Sequence, residues 1–418
     1  ITNIFAYDAL NRLIKETPST GGPISHAYDK AGSETSMTDA RGVNSYKYDP
    51  VNRLTSVHTP DGNMLTYTYG IDGRLISIGL PDGSKQQYTY DVLDRITAAK
   101  DAAGNTTLFA YDAAGRLLKE TFPNGDTVTH TYDALSRVTS AMNTHGTTVL
   151  SSNQYQYDAD GNRTAAITAA GNIAYTYDHL NQLASVTQSG QVTKYGYDAN
   201  GNRTSVMTPS GVTKAAYDKA NRMTTFGSMT FAYDKNGNLI NDGTHMYSYD
   251  AYNRPIEITG YNTSYTYDGH GFRVSQKTPA GTYQYVNNPM NGRVLLEDGP
   301  DGNFVNLYDS GLLISETSSS LKLYYQFDST GNVVTVTDST GKALQSYAYD
   351  AFGNETSTDS LGNKNKYKAL GGYTDPVTGF IYLPDGVYYN PSWGRTFSGT
   401  ILGGYPNPYV FEENNPLR

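Results

Sequence analysis

The sequence predicts an all-β chain: one long antiparallel sheet, built hairpin by hairpin, that spirals into a hollow cocoon or tube. Three observations carry that expectation. A Tyr-Asp pair recurs fifteen times, at intervals of about 20 residues over the first half, a period that marks a repeat array. Three to four residues after each Tyr comes a turn signal built on Gly or Asn. The apolar set is 37% of 418 residues and rich in Tyr, with 38 Tyr and 42 Gly against one Trp. A tyrosine hydroxyl wants water or a partner, so a thick aliphatic core is not expected and a wide, wet, Tyr-lined interior is.

Each unit runs strand, turn, strand, turn. The first strand alternates rings, as in "YKYD", "YTYD" and "YGYD", so Tyr88 and Tyr90, or Tyr175 and Tyr177, share one face. Where the first Tyr is missing, Phe5, His26, Phe109, His130 or Phe231 stands in its slot. The turn follows at Asn11-Arg12, Asn52-Arg53, Gly115-Arg116, Gly161-Asn162-Arg163 or Gly201-Asn202-Arg203. Gly or Asn there takes positive φ, and the Asp bonds its own downstream backbone. Asp158-Ala159-Asp160-Gly161-Asn162 resembles the start of a calcium loop, but most equivalent turns lack the second acid and no distal Glu follows, so it reads as a hairpin turn. A β-branched second strand comes next, as in "RLTSVHT", and "PDGN" at Pro60, "PDGS" at Pro81 or "PNGD" at Pro123 reverses the chain again. Over residues 218–290 the spacing shortens to about 16 to 18, which predicts tighter curvature or a narrowing end. Over 281–320 the Tyr-Asp register decays while strand character persists. No segment has helical periodicity with caps.

Composition excludes several functions. A net charge of −9 and no basic stripe disfavour nucleic acid as a partner. No apolar run approaches the ~20 residues of a membrane span. Zero Cys excludes disulfides and thiolate metal sites. The chain opens inside the repeat pattern, with no signal peptide at its start.

The repeated "YD…GN/GR" over residues 1–355 resembles the YD-repeat, or Rhs, family. Residues 347–397, "YAYDAFGNETSTDSLGNKNKYKALGGYTDPVTGFIYLPDGVYYNPSWGRTF", are similar to that family's associated core region, as is the closing "YPNPYVFEENNPLR". The resemblance implies two parts, a YD-repeat array over 1–355 and a core-like segment over 356–418 that stops before any toxin domain. It implies a secreted or cell-surface bacterial shell that encloses or presents a toxin or effector domain, or joins another shell component; similar shells occur in insecticidal toxin complexes and in animal teneurins, where they serve adhesion. An alternative is an extracellular filament or adhesin, self-associating through open sheet edges or touching cell-surface carbohydrate through its Tyr rows.

The resemblance also raises an enzyme reading. Self-cleaving members use an Arg and two Asp within "YLRARYYDPxxGRFxxxDPxG", where this chain reads "YLPDGVYYNPSWGRTFSGTILG". The segment from Pro384 to Val387 replaces the Arg positions, Asn390 stands where an acid is expected, and Thr400-Ile401 replaces the second. Asp375 and Asp385 are the nearby acids, and no pair sharing a proton is evident. The expectation is therefore no enzyme, with no catalytic, cofactor-binding or metal-ligating residue and no cofactor. His26, His58, His130, His145, His179, His245 and His270 show no ligand spacing, and His26 and His130 read as packed rings. The N-x-S/T patterns at Asn105, Asn162, Asn202, Asn262 and Asn354 read as chance in an Asn- and Thr-rich chain. The Asp and Arg of each turn are expected to form one charged ladder of little energetic weight.

Overall fold

The computed structural model describes residues 3–309, 311–383, 386–397 and 407–417. Among these there is no α-helix; strands are joined by tight turns, with short 3-10 turns at Gly362–Lys364 and Glu412–Asn414. The array starts with β1 (Ile4–Tyr7), β2 (Leu13–Thr17), β3 (Ile24–Tyr28) and β4 (Glu34–Asp39), each antiparallel to its chain neighbour. The pattern continues through a 23-stranded sheet that ends at Met229–Thr230. A 13-stranded sheet then runs from Ala232–Tyr233 to Ala343–Ser346, and a four-stranded one from Tyr373–Thr374 to Arg395–Thr396.

The expected single sheet is thus divided, and the first break falls at Phe231. That residue donates its N–H to Thr224 O (3.0 Å) while its ring buries edge-on against Trp393, 5.0 Å between centroids. The backbone bond continues the hairpin across this residue, which separates two-residue strands inside the stretch whose spacing shortens. Strand character through 281–320 is as the sequence suggests, with regular pairing from Gly281–Asn287 to Leu313–Thr317.

Each Tyr-Asp turn repeats one geometry. Asp8 N–H donates to Arg12 O (2.9 Å) and Asn11 N–H to Asp8 O (3.0 Å), with Asn11 in the left-handed region at φ 61°. The pairing register shifts at Tyr7, the residue before the Asp, as a turn closing on a bulge requires. Asp158 to Asn162 adopts the same closure: Asp158 Oδ1 accepts from Asp160 N (3.0 Å) and Asn162 N (2.8 Å). It is a hairpin.

The second sheet lies against the first at an offset that shortens along the chain, from 248 residues between Asn3 and Ala251 to 166 between Arg163 and Ser329, and is nearly constant only over residues 67–124. Tyr67 OH donates to Asn288 Oδ1, Gln86 Nε2 to Asn306 O, Lys322 Nζ to Asp101, and Asn124 Nδ2 to Asp338 O, at separations of 221, 220, 221 and 214 residues. A constant offset is what a coil gives when each turn uses about the same length of chain. Mixed clusters fill the contact, such as Phe109, Phe122 and Val128 with Leu307, Ile314 and Tyr324. Between the sheets and the segment near Tyr349 to Thr356, cavities of 340 Å³ and 480 Å³ remain. At the free edge, β1 leaves Ile4, Phe5 and Tyr7 exposed.

Candidate functional site

The side chains of the turns form a linked ladder, and its links run from each unit to the next. At one rung, Asp91 Oδ1 accepts from Leu93 N (2.8 Å) and Arg95 N (3.1 Å), and Oδ2 accepts from Arg95 Nε (2.6 Å). The guanidinium holds the Asp91 carboxyl below its ordinary range. Arg95 then lies 4.6 Å over the ring of Tyr111 in the following unit and donates to Asp112 O (3.2 Å). Tyr111 OH donates back to Ile96 O (2.8 Å), and burial pushes this phenol up. The same stacking joins Arg12 to Tyr28, Arg53 to Tyr69, Arg116 to Tyr132, Arg137 to Tyr157 and Arg254 to Tyr267. The Tyr of each pair serves its neighbour's turn, and the Asp shapes its own. Because the rings already carry a guanidinium, one stacking face along these turns is occupied. Tyr111→Phe is expected to cost about 1 kcal/mol by deleting one inter-unit hydrogen bond, read as a lower denaturation midpoint.

Not every Arg joins this ladder. In the Asn11-Arg12 type the Arg is four residues after the Asp, whereas in Gly161-Asn162-Arg163 and Gly201-Asn202-Arg203 it is five. One residue of shift sends a strand side chain to the opposite face. Arg163 and Arg203 are accordingly buried, Arg163 stacked 4.3 Å over Tyr155 and Arg203 4.2 Å over Phe352. Asn162 and Asn202 take the vacated place, each accepted by its turn Asp through Nδ2. Sequence reasoning merged the two types.

The inward set forms a receptor for the C-terminal segment. Arg203 Nη2 donates to Trp393 O (2.7 Å), and Arg395 Nη2 donates to Asn221 O (2.7 Å) with its guanidinium 4.7 Å over Tyr217. Asn407 Nδ2 donates to Asn202 Oδ1 (2.7 Å), Asn414 Nδ2 to Gly201 O (2.7 Å) and Asn415 Nδ2 to Asn162 Oδ1 (2.9 Å). Burial lowers the Arg395 pKa.

The candidate acids fall into structural positions. Asp375, 1% exposed, accepts from Tyr265 OH (2.7 Å) and Gln276 Nε2 (2.8 Å) on Oδ2, and from Val377 N (2.9 Å) and Thr378 N (3.0 Å) on Oδ1. Asn390 Oδ1 accepts from Ser392 N and Trp393 N, closing a turn where the related pattern has an acid. Asp385, Pro384 and Thr400-Ile401 lie outside the described residues. Beside Asp375, Arg273 is buried in a cage of rings: Tyr285, Tyr373 and Tyr382 lie 4.5 to 4.9 Å from its guanidinium, and Tyr388 OH accepts from Nη1 at 3.1 Å. These groups hold one another.

The histidines divide. His58 and His179 are exposed, His245 stacks on Tyr261 at 4.1 Å, and His130 lies 3.6 Å from Glu120. His26 departs from the packed-ring expectation: it and His270 both contact Glu34, at 2.5 Å and 2.8 Å. Their positions in the sequence are 244 apart, so only the winding brings them together. Of the N-x-S/T asparagines, Asn162 and Asn202 are buried and Asn105 and Asn354 bond their own turn Asp.

Comparison with known proteins gives consistent relatives. The family described as Teneurin YD-shell matches residues 2–160 and 156–405. The tRNA3(Ser)-specific nuclease WapA of Bacillus spizizenii is 34% identical over 173 residues, 37% of this chain and 7% of that protein. The tRNA nuclease WapA of Bacillus subtilis strain 168 is 32% identical over the same share. Among solved structures, a TcdB2-TccC3-TEV crystal structure superposes with a TM-score of 0.79 at 16% identity, covering 99% of this chain and 27% of that one. The Photorhabdus luminescens Tc holotoxin pore gives 0.68 at 16% identity, with 99% and 27% covered. The chain therefore spans a small part of each relative's length.

Proposed function

The chain belongs to the Teneurin YD-shell family, and from that premise we propose that it is a wall element of a secreted bacterial shell that encloses or presents a toxic or effector domain. Residues 1–355 are the wall in this reading, and 356–418 are the inner segment seated on it. The observation that carries it is the inward receptor built from Arg203, Asn162 and Asn202, which holds the chain's own Trp393, Asn407 and Asn415. A sheet that dedicates buried polar turns to gripping an inner polypeptide behaves as a wall with contents. The span acts as structure and not as a catalyst: the nuclease named for its relatives belongs to proteins of which it matches 7%.

A second reading is a filament or adhesin assembled edge to edge, as unpaired strands allow. Negative-stain electron microscopy of the purified chain over a range of concentrations separates the two. Discrete particles of fixed size support the shell. Fibres that lengthen with concentration overturn it in favour of edge-to-edge assembly.

A further inference from the structure

We propose that His26, Glu34 and His270 form a divalent metal site, fitted to Zn²⁺, that fastens the second sheet onto the first. The three residues come from three places: His26 from β3, Glu34 from the start of β4, and His270 from the turn before Arg273–Thr278. One donor atom from each lies within 4.8 Å of the others, with Glu34 between the two imidazoles. Glu34 Oε1 is 2.5 Å from His26 Nδ1, and Oε2 is 2.8 Å from His270 Nε2. Two imidazoles and one carboxylate are a common zinc donor set, with bonds of about 2.0–2.2 Å; the ion would enter by displacing the ring protons that face Glu34 and spreading these close contacts. Imidazole selects zinc and its neighbours over calcium or magnesium.

The second observation concerns the other ring nitrogens. A metal-bound histidine usually has its free nitrogen held by a carboxylate or another polar group, which fixes the ring's orientation. His26 Nε2 points at Glu16 Oε1, 3.4 Å away, and Glu16 is itself anchored by Tyr252 OH at 2.7 Å. His270 Nδ1 lies 3.4 Å from Tyr46 OH. The His26 side chain is 8% exposed, yet its Nε2 has no hydrogen-bond partner. A buried imidazole without a full set of partners, between two glutamates, is a site in need of a cation.

The clip would do for this chain what a disulfide does elsewhere. It joins residues 236 apart in a protein with no cysteine. It also sits beside further cross-sheet contacts, Gly269 N to Asp39 Oδ2 (3.0 Å) and Tyr252 to Glu16.

The test is titration of the purified, chelator-treated chain with Zn²⁺ by calorimetry and with Co²⁺ by visible absorption. The expected result is one ion per chain, a four- or five-coordinate Co²⁺ spectrum, and a melting temperature raised by bound Zn²⁺. His270→Ala, at a half-exposed position, and Glu34→Gln are each expected to weaken binding at least tenfold and abolish the melting shift. His58→Gln, at an exposed histidine away from the cluster, is expected to change neither. Absence of binding by the folded native chain, or binding that survives His270→Ala and Glu34→Gln unchanged, overturns the proposal. Retained circular dichroism in His270→Ala makes a loss of binding attributable to the ligand.

Discussion

Asp375→Ala is expected to remove on the order of 4 kcal/mol of stability, because four buried donors lose their acceptor together. Tyr265 OH and Gln276 Nε2 converge on one oxygen, and Val377 N and Thr378 N on the other. Stranding a buried donor costs roughly 1–3 kcal/mol, and some donors here recover water or a neighbour. Asp375→Asn is the sharper variant. Either orientation of the amide turns an NH₂ group toward one pair of donors, so an isosteric change is expected to cost about 2 kcal/mol. Denaturant unfolding of both variants reads the effect, and a midpoint unmoved in both would show that this carboxylate is not the hub described. If Asp375 serves structure alone, the intact mass of native and variant chains stays unchanged on prolonged incubation.

Glu316→Gln is expected to act in the opposite direction, by an amount that grows from pH 4.5 to about 7 and is constant above. Glu316 is fully buried and accepts a hydrogen bond from Tyr325 OH. Burial raises its pKa from 4.5 to about 7, the Tyr325 bond offsetting part of that rise. The folded chain thus holds a proton between pH 4.5 and 7 that the unfolded chain has released. The contribution to stability is fully present below pH 4.5, declines as pH rises, and is lost above about 7. A shift of this size corresponds to about 3 kcal/mol. Glutamine mimics the protonated acid, so at pH 8 the variant should be more stable than the native chain by roughly that amount, and at pH 4.5 about equal. Parallel stability profiles for the two proteins would reject the assignment.

The repeating turn was legible in the sequence because its causes are local. The Asp that bonds its own backbone, the Asn or Gly at positive φ and the alternating rings all lie within ten residues, and the turns at Asp8 and Asp158 show them together. What escaped depends on distance or on a single residue of phase. Asn11-Arg12 and Asn162-Arg163 look alike as dipeptides, yet the count from the preceding Asp decides whether the guanidinium stacks on the next unit or turns inward. The ring contact of Phe231 joins it to a Trp 162 positions away. The pairing of His26 with His270 depends on the length of one winding, which no local pattern encodes. Asp375 is visible in the sequence only as a nearby acid; two of its four donors come from the strands around Tyr265 and Gln276.

The offset of about 220 residues between touching parts of the chain around Tyr67, Gln86 and Asp101 constrains how such a protein evolves. In a linear solenoid a module can be duplicated or deleted anywhere, because each one meets only its neighbours. Here a unit in this stretch also meets the one roughly eleven units later, at about 20 residues per unit. Gaining a single copy in the first winding would pair Tyr67 and Gln86 with the wrong opposites while leaving every local turn intact. Copy number is therefore not freely variable in this architecture, and lineages are expected to add or lose modules at the ends of the strip or in amounts that restore the phase.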